Sequence, residues 1–269
     1  MEHPYGWLDK NCQDQRRHDK AAELYSAKDI QVGTQRDIKF DLTNARVSTE
    51  LTGCIETGSI PRFLCIEDTV PAGPSAAARP LAPGIESLKR PYFLDQRLLS
   101  LLNEVEKLTN GVGTLSDLDL ELTAVRVRYR LLSWNHSTSE DSQRSAINQS
   151  IRYGAILYIK TLVRSPSVRG IDYTNVLSRL RLHLSKLRTC PDAAGLVLWL
   201  LFFGGITSEN ICRSWFIPRL VDVATQAGVN TWENARLYLT SVWWVEAVHE
   251  EPCKRLWEDV KSMQEETSN

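Results

Sequence analysis

From residue 91 onward, apolar residues recur at helical spacing, and the breaks between the recurrences carry helix punctuation. Phe93, Leu94, Leu98, Leu101, Leu102, Val105 and Leu108 predict an amphipathic helix over 92–110. Asn110-Gly111 is expected to stop it, the glycine taking the left-handed end position. Ser116 or Asp117 is placed to cap a second helix over 118–134, with Leu118, Leu122, Val125, Tyr129 and Leu132 inward. A third, over 146–163, turns Ile147, Ile151, Ala155, Tyr158 and Leu162 inward and ends before Pro166. A fourth, over 173–188, buries Val176, Leu177, Leu180, Leu184 and Leu187. The fifth, 193–203, is apolar on nearly every side, as a central core helix is, and Gly204-Gly205 closes it. The sixth starts at Ser208-Glu209-Asn210 and ends at Gly228. Thr231 caps the seventh, which offers Trp232, Ala235, Leu239, Val242 and Trp243 for burial. Glu251-Pro252 begins the last, proline being tolerated in a first turn. No alternating strand pattern interrupts this series. The expected fold is all-α, a multi-helix domain of about eight helices over 91–264 with a mostly irregular N-terminal extension.

Residues 1–90 have a different texture. Residues 15–29 predict a short helix with Ala21, Ala22, Leu24 and Tyr25 as a modest apolar patch, and 31–68 lack sustained periodicity. Residues 70–84 hold four of the eleven prolines among small residues, a linker composition. The region reads as a variable, largely irregular linker with a domain boundary near residue 90.

Composition adds exclusions rather than a function. Hydrophobic content of 42%, charged content of 24% and a net charge of -1 are ordinary for a soluble globular protein, with no overall basic excess toward nucleic acid or membrane. The longest apolar run, 196–203, falls far short of the ~20 residues that span a bilayer. The polar N-terminus does not read as a secretory signal, so an intracellular location is expected. The six cysteines, at 12, 54, 65, 190, 212 and 253, show no C-x-x-C spacing and no His pair. They read as reduced, structural thiols. The sequons at Asn135 and Asn148 then read as chance matches.

The search for chemistry returns weak candidates. Asp117, Asp119 and Glu121 come closest to a magnesium-diphosphate cluster, but alternate spacing scatters them around a helix, and helix capping by the first acid explains them better. Glu246, His249, Glu250 and Glu251 are the densest polar group near the C-terminus, readable as an acid–base pair or, with fewer assumptions, as a charged helix junction. Arg179, Arg181, Lys186 and Arg188 form a basic helix face that fits phosphate or, more simply, a solvated surface. His183 reads as a surface residue. Gly111-Val112-Gly113 lacks the strand and third glycine of a dinucleotide fingerprint. There is no G-x-S-x-G, H-E-x-x-H or phosphate-loop motif. No catalytic, metal or cofactor residue is assigned, and the chain is not expected to be an enzyme.

Six of the eight Trp fall in 195–260, where LVLWLLFFGGI, RSWFIPRL, GVNTWENARLYL and WWVEAVHEEPCKRLWEDV follow in order. That order resembles the C-terminal regulatory, or middle homology, domain of fungal zinc-cluster transcription factors. The matching positions are Trp199, Gly204, Gly205, Trp215, Phe216, Leu220, Trp232, Trp243 or Trp244, Pro252 and Trp257. The resemblance implies regulation of transcription in the nucleus, through self-association, coregulator contact or a small-molecule effector. The family's DNA-binding module holds two zinc ions with six closely spaced cysteines. Here six cysteines are spread over most of the chain, so DNA binding in the family's way is not expected of it. A truncated gene model, a fragment or a member that has lost the module would each look like this. A non-transcriptional ligand-binding or scaffold module is the alternative reading, and a helical enzyme ranks below both.

Overall fold

The architecture follows from two helices that are buried on nearly every side. In the computed structural model, the residues described are 47–62, 94–134, 142–163, 170–187, 193–208 and 210–268. They lie in one unit, Val47–Asn269. Among them are nine helices and no strand: α1 (47–57), α2 (Gln96–Gly111), α3 (Asp117–Ser133), α4 (Ser142–Leu162), α5 (Thr174–Leu184), α6 (Ala194–Thr207), α7 (Asn210–Gln226), α8 (Trp232–Thr240) and α9 (Glu246–Ser268). None is long and apolar enough to cross a membrane. The all-α expectation holds. The readings of 15–29, 70–84 and Asn135 lie outside the described residues.

α4 and α6 pack against each other and divide the remaining helices between them. α4 carries α2, α3 and α5 on its flanks; α6 carries α7 and α8; α9 touches α4, α6 and α7. α6 buries Leu196, Leu198 and everything from Trp199 to Gly205, as its apolar circumference requires. α4 shares that role. Alongside Ile147, Ile151, Ala155, Tyr158 and Leu162 it buries Gly154, Ile156, Leu157 and Ile159. The sequence pattern marked a single central helix; there are two.

Several ends differ from expectation, each for a local reason. α2 starts at Gln96, where the Asp95 side chain accepts from the N–H groups of Arg97 and Leu98. Gly111 is still helical, and the left-handed residue is Gly113, at φ 82°. In α3 the capping residue is Ser116, not the first acid: its hydroxyl accepts from the Asp119 N–H and donates to the Asp119 carboxylate, a reciprocal cap. Leu118 is 65% exposed rather than inward; the buried stripe runs through Leu120, Ala124, Val127 and Leu131 beside Val125, Tyr129 and Leu132. α5 ends at Leu184, leaving Leu187 partly buried beyond it. α6 continues through Gly204 and Gly205 to Thr207. α7 ends at Gln226 and Gly228 closes it: the Val229 N–H reaches Ala224 O, the Gly228 N–H reaches Thr225 O, and Gly228 takes φ 67°. Thr231 caps α8 through the Asn234 N–H.

α9 begins at Glu246, so Pro252 lies inside it rather than in its first turn. The backbone of Val245 is already closed onto the helix. Its carbonyl accepts from the Val248 and His249 N–H groups, and its own N–H donates to His249 Nδ1 at 2.9 Å. α1 carried no expectation of its own. Its Val47, Leu51, Cys54 and Ile55 belong to the same buried cluster as the later helices, and the Asp172 N–H, just before α5, points to Glu56.

Candidate functional site

Where α4, α6 and the start of α9 meet, aromatic rings gather around Tyr158. Trp199, Phe203, Trp243 and His249 lie with centroids 5.1 to 5.7 Å from the Tyr158 ring. Trp199 and Phe203 are 4.6 Å apart, and Trp244 reaches His249 at 5.4 Å. Such offset and edge-on pairs fill volume while their polar edges seek partners. Trp199 Nε1 donates to Trp243 O at 3.0 Å, tying α6 to the α8–α9 link. Trp243 Nε1 donates to Glu106 Oε2 at 2.9 Å, tying that link to α2. The Tyr158 hydroxyl shares a 3.0 Å hydrogen bond with Thr109 Oγ1, and burial raises its pKa well above the ordinary tyrosine value. Trp244 Nε1 is the exception, buried without a partner.

His249, fully buried, is the polar centre of the cluster. Its Nδ1 accepts from the Val245 N–H, so Nε2 carries the proton and donates to Thr161 Oγ1 at 2.8 Å. The Thr161 hydroxyl in turn donates to Tyr158 O at 2.6 Å. This chain fits the neutral imidazole alone, because a second ring proton would face the Val245 N–H. Burial pushes the pKa down to about 3. The arrangement is a structural tie, with each donor spent inside the fold.

The acids singled out by spacing do not converge. Asp119 serves the α3 cap, and among the described residues no group of three or more His, Cys, Asp or Glu is disposed to hold a metal ion. Glu246 and Glu250 both pair with Arg236 of α8, at 3.1 and 2.8 Å, and Glu250 also accepts from Trp232 Nε1. Glu251 pairs with Arg255 on the outer face of α9. His249 turns the other way, into the core. The Glu246–Glu251 group is therefore a helix junction, with no acid–base pair in it. Cys54 and Cys253 are free and buried, and burial raises the Cys253 thiol. Asn148 is wholly buried, its Oδ1 accepting from the Asp95 N–H, so its sequon is closed to modification in the folded chain.

Two arginines that sequence reasoning passed over are buried. Arg152 of α4 donates from Nε to Leu131 O and from a terminal nitrogen to Leu132 O, both at 2.7 Å, satisfying the last turn of α3. Its guanidinium also lies over the rings of Trp134 and Tyr153. Arg128 reaches the Tyr173 hydroxyl at 2.7 Å. The available signal was an arginine with apolar residues three and four positions on in the same helix, Ala155 and Ile156 after Arg152, Leu131 and Leu132 after Arg128. His183 stacks on the Tyr153 ring at 5.9 Å, half-buried. Burial, then Lys186, Arg179 and Arg152, push the His183 pKa down to about 4. His183 is thus part of a positive cluster, not a plain surface residue.

An open cleft of about 490 Å³ lies beside α8, lined by Ala227, Gly228, Val229, Asn234, Leu237, Tyr238 and Ser241. Leu237 stands 69% exposed at this site. The lining is mixed apolar and hydrogen-bonding, of a size that takes small organic molecules.

A family model described as "Fungal specific transcription factor domain" matches residues 100–268. No curated protein and no solved structure matches the chain.

Proposed function

We propose, from the premise that this chain belongs to the fungal specific transcription factor domain family, that it regulates transcription in the nucleus through protein partners or an effector, without reading DNA itself. The family is one of transcription factors, not of enzymes. The observation that carries the reading is the family match over well more than half of the chain. The wide dispersal of its six cysteines supports leaving DNA contact to a partner. The residues that looked chemical serve as caps, junctions and core ties, which accords with a regulatory body.

The test joins the full chain to a foreign DNA-binding domain and reads a reporter. A change in transcription is expected, together with chromatin association of the native chain through a partner. A silent fusion combined with absence from chromatin would overturn the proposal.

The cleft beside α8 favours a second route, an effector bound there. A ligand that stabilises the native state raises the unfolding midpoint by mass action. A thermal-shift screen in which Tyr238→Ala cancels the rise would place the effector in this cleft, and a rise unchanged by that substitution would remove it.

A further inference from the structure

α8 carries two stripes. Ala235 and Leu239 are buried against the core. Asn234, Leu237, Tyr238 and the following Ser241 recur at i, i+3, i+4 and i+7, which sets them together on another face, and all four line the open cleft of about 490 Å³. The close of α7, Ala227 to Val229, completes the lining. Among the described residues that line it, none is charged. The two charged residues of α8, Glu233 and Arg236, lie outside the lining, and Arg236 is held by Glu246 and Glu250. The polar groups left in the cleft are of a definite kind. The Ser241 hydroxyl donates to Tyr238 O at 2.7 Å, which leaves its lone pairs to accept. Among the described residues, nothing takes up the Asn234 carboxamide or the Tyr238 hydroxyl. The N–H groups of Ala227, Gly228 and Val229 are spent on Val223 O, Thr225 O and Ala224 O. The apolar share comes from Leu237, 69% exposed, and from the Tyr238 ring. Gly195 of α6 lets that ring lie close behind it: a Cβ there would stand 3.2 Å from Tyr238 Cδ1.

We propose that this cleft binds an uncharged carboxamide carried on a flat apolar body. The inference rests on the second route proposed above, an effector in this cleft, and names the chemical class of that effector. A carboxamide is donor and acceptor at once, as the Asn234 side chain is, so the two pair through two hydrogen bonds. The Tyr238 hydroxyl and the Ser241 lone pairs serve the ligand's remaining polar edge. Its flat body covers Leu237 and lies against the Tyr238 ring, taking exposed apolar surface out of water. Charge is selected against. An ion entering the cleft gives up hydration and gains no counter-charge from the lining. An anion meets, in addition, the negative C-terminal end of α7, whose closing N–H groups are already used.

The experiment uses the full chain with isotope-labelled leucine methyl groups, read by NMR, the Leu237 signals being identified by their loss in Leu237→Met. Three probes share one shape and differ in charge: benzamide is neutral, benzoate an anion and benzamidinium a cation. Benzamide is expected to move the Leu237 signals with a Kd of about 1 mM, as a fragment of this size does, and both ions to bind roughly tenfold more weakly. Asn234→Leu should raise the benzamide Kd roughly tenfold, since it removes the hydrogen bonds at nearly constant size. Asn234→Asp should reverse the order and favour benzamidinium over benzamide. Asn234 is exposed, so both variants are expected to keep the wild-type thermal midpoint, and the three-probe comparison on the unaltered chain needs no variant at all. The inference is overturned by three probes of equal affinity, by an ion that binds more tightly than benzamide, by Leu237 signals that stay fixed at roughly 10 mM benzamide, or by an Asn234→Leu chain that binds benzamide as the wild type does. Equal affinities remove the class and leave the effector cleft standing, whereas signals fixed with all three probes remove the cleft as well. The reporter fusion, run in parallel, separates this from the regulatory role. A silent fusion beside selective benzamide binding removes transcription and keeps the chemistry of the cleft, and an active fusion beside fixed signals does the reverse.

Discussion

Gly204 lies so close to Phe216 that a Cβ built on it would sit 2.2 Å from ring Cε1 and 2.6 Å from Cζ. The ring is fully buried and flat, so it cannot give way by turning a flexible end aside. At Gly205 the clash would be with Leu256 Cδ2 at 2.5 Å, the far end of a side chain with rotamers to spare. Alanine gains about 1 kcal/mol of helix propensity at either site, which partly offsets the crowding. Overpacking of a rigid neighbour costs ~1–3 kcal/mol and more where nothing relaxes. Gly204→Ala should therefore lower the urea midpoint, and Gly205→Ala should lower it less. Adding Phe216→Leu to Gly204→Ala should cost less than the sum of the two single changes, because the smaller side chain relieves the clash. Additive losses would show that the glycine is not there for the ring.

At the scale of elements, α4 does more than pack. Arg152, 8% exposed, holds two carbonyls of the last turn of α3, which no other side chain caps within the hydrogen bonds described. Arg152→Ala strands both acceptors in the core, at ~1–3 kcal/mol for each buried group left unsatisfied. Arg152→Lys keeps the charge but not the fork, so a chemical denaturation series should place it between alanine and wild type. Equal losses for lysine and alanine would mean that bidentate geometry, not charge, is what matters. Neither partner could be foreseen, since the acceptors are backbone atoms of another helix. What was legible is the periodic signal: Leu98 to Leu108 and Val176 to Leu184 have one face each, and both faces are buried as spaced. Helix ends were less legible because a glycine pair or a proline has two uses. Gly204-Gly205 permits close approach of α7 and α9 rather than a stop, and Pro252 sits inside a helix already closed at Val245. α1 has a regular stripe of four buried residues, but Thr52 and Gly53 in its middle are poor helix formers, so its helicity depends on the core it joins. The candidate site was least legible. Spacing exposed the acids, which serve as caps and pairs, while the buried histidine tie arises from α4 and α9 meeting 88 positions apart in sequence.

Across the whole molecule, that tie makes stability depend on pH. His249 has a folded pKa of about 3, against about 6.5 for an unperturbed histidine. Below pH 6.5 the unfolded chain takes up a proton that the folded chain refuses, so the unfolded state binds more protons and stability falls as pH falls. The contribution is fully present above the unfolded value and is lost as pH descends from ~6.5 toward ~3, at up to ~1.4 kcal/mol per pH unit. His183, depressed to about 4 by burial and neighbouring cations, acts in the same direction, though its partial exposure weakens its share. His249→Phe keeps a ring in the aromatic cluster but removes the acceptor for the Val245 N–H and the donor to Thr161. At pH 7 the variant should be less stable by ~1–3 kcal/mol, the cost of groups left without partners. Since phenylalanine does not titrate, the variant escapes the acid penalty, and every other group titrates alike in both proteins. The gap in urea-unfolding free energy should close within roughly two pH units below 6.5. A gap that stays constant down to pH 4 would mean that His249 protonates in the folded state, and that the Val245–His249–Thr161 chain breaks without cost.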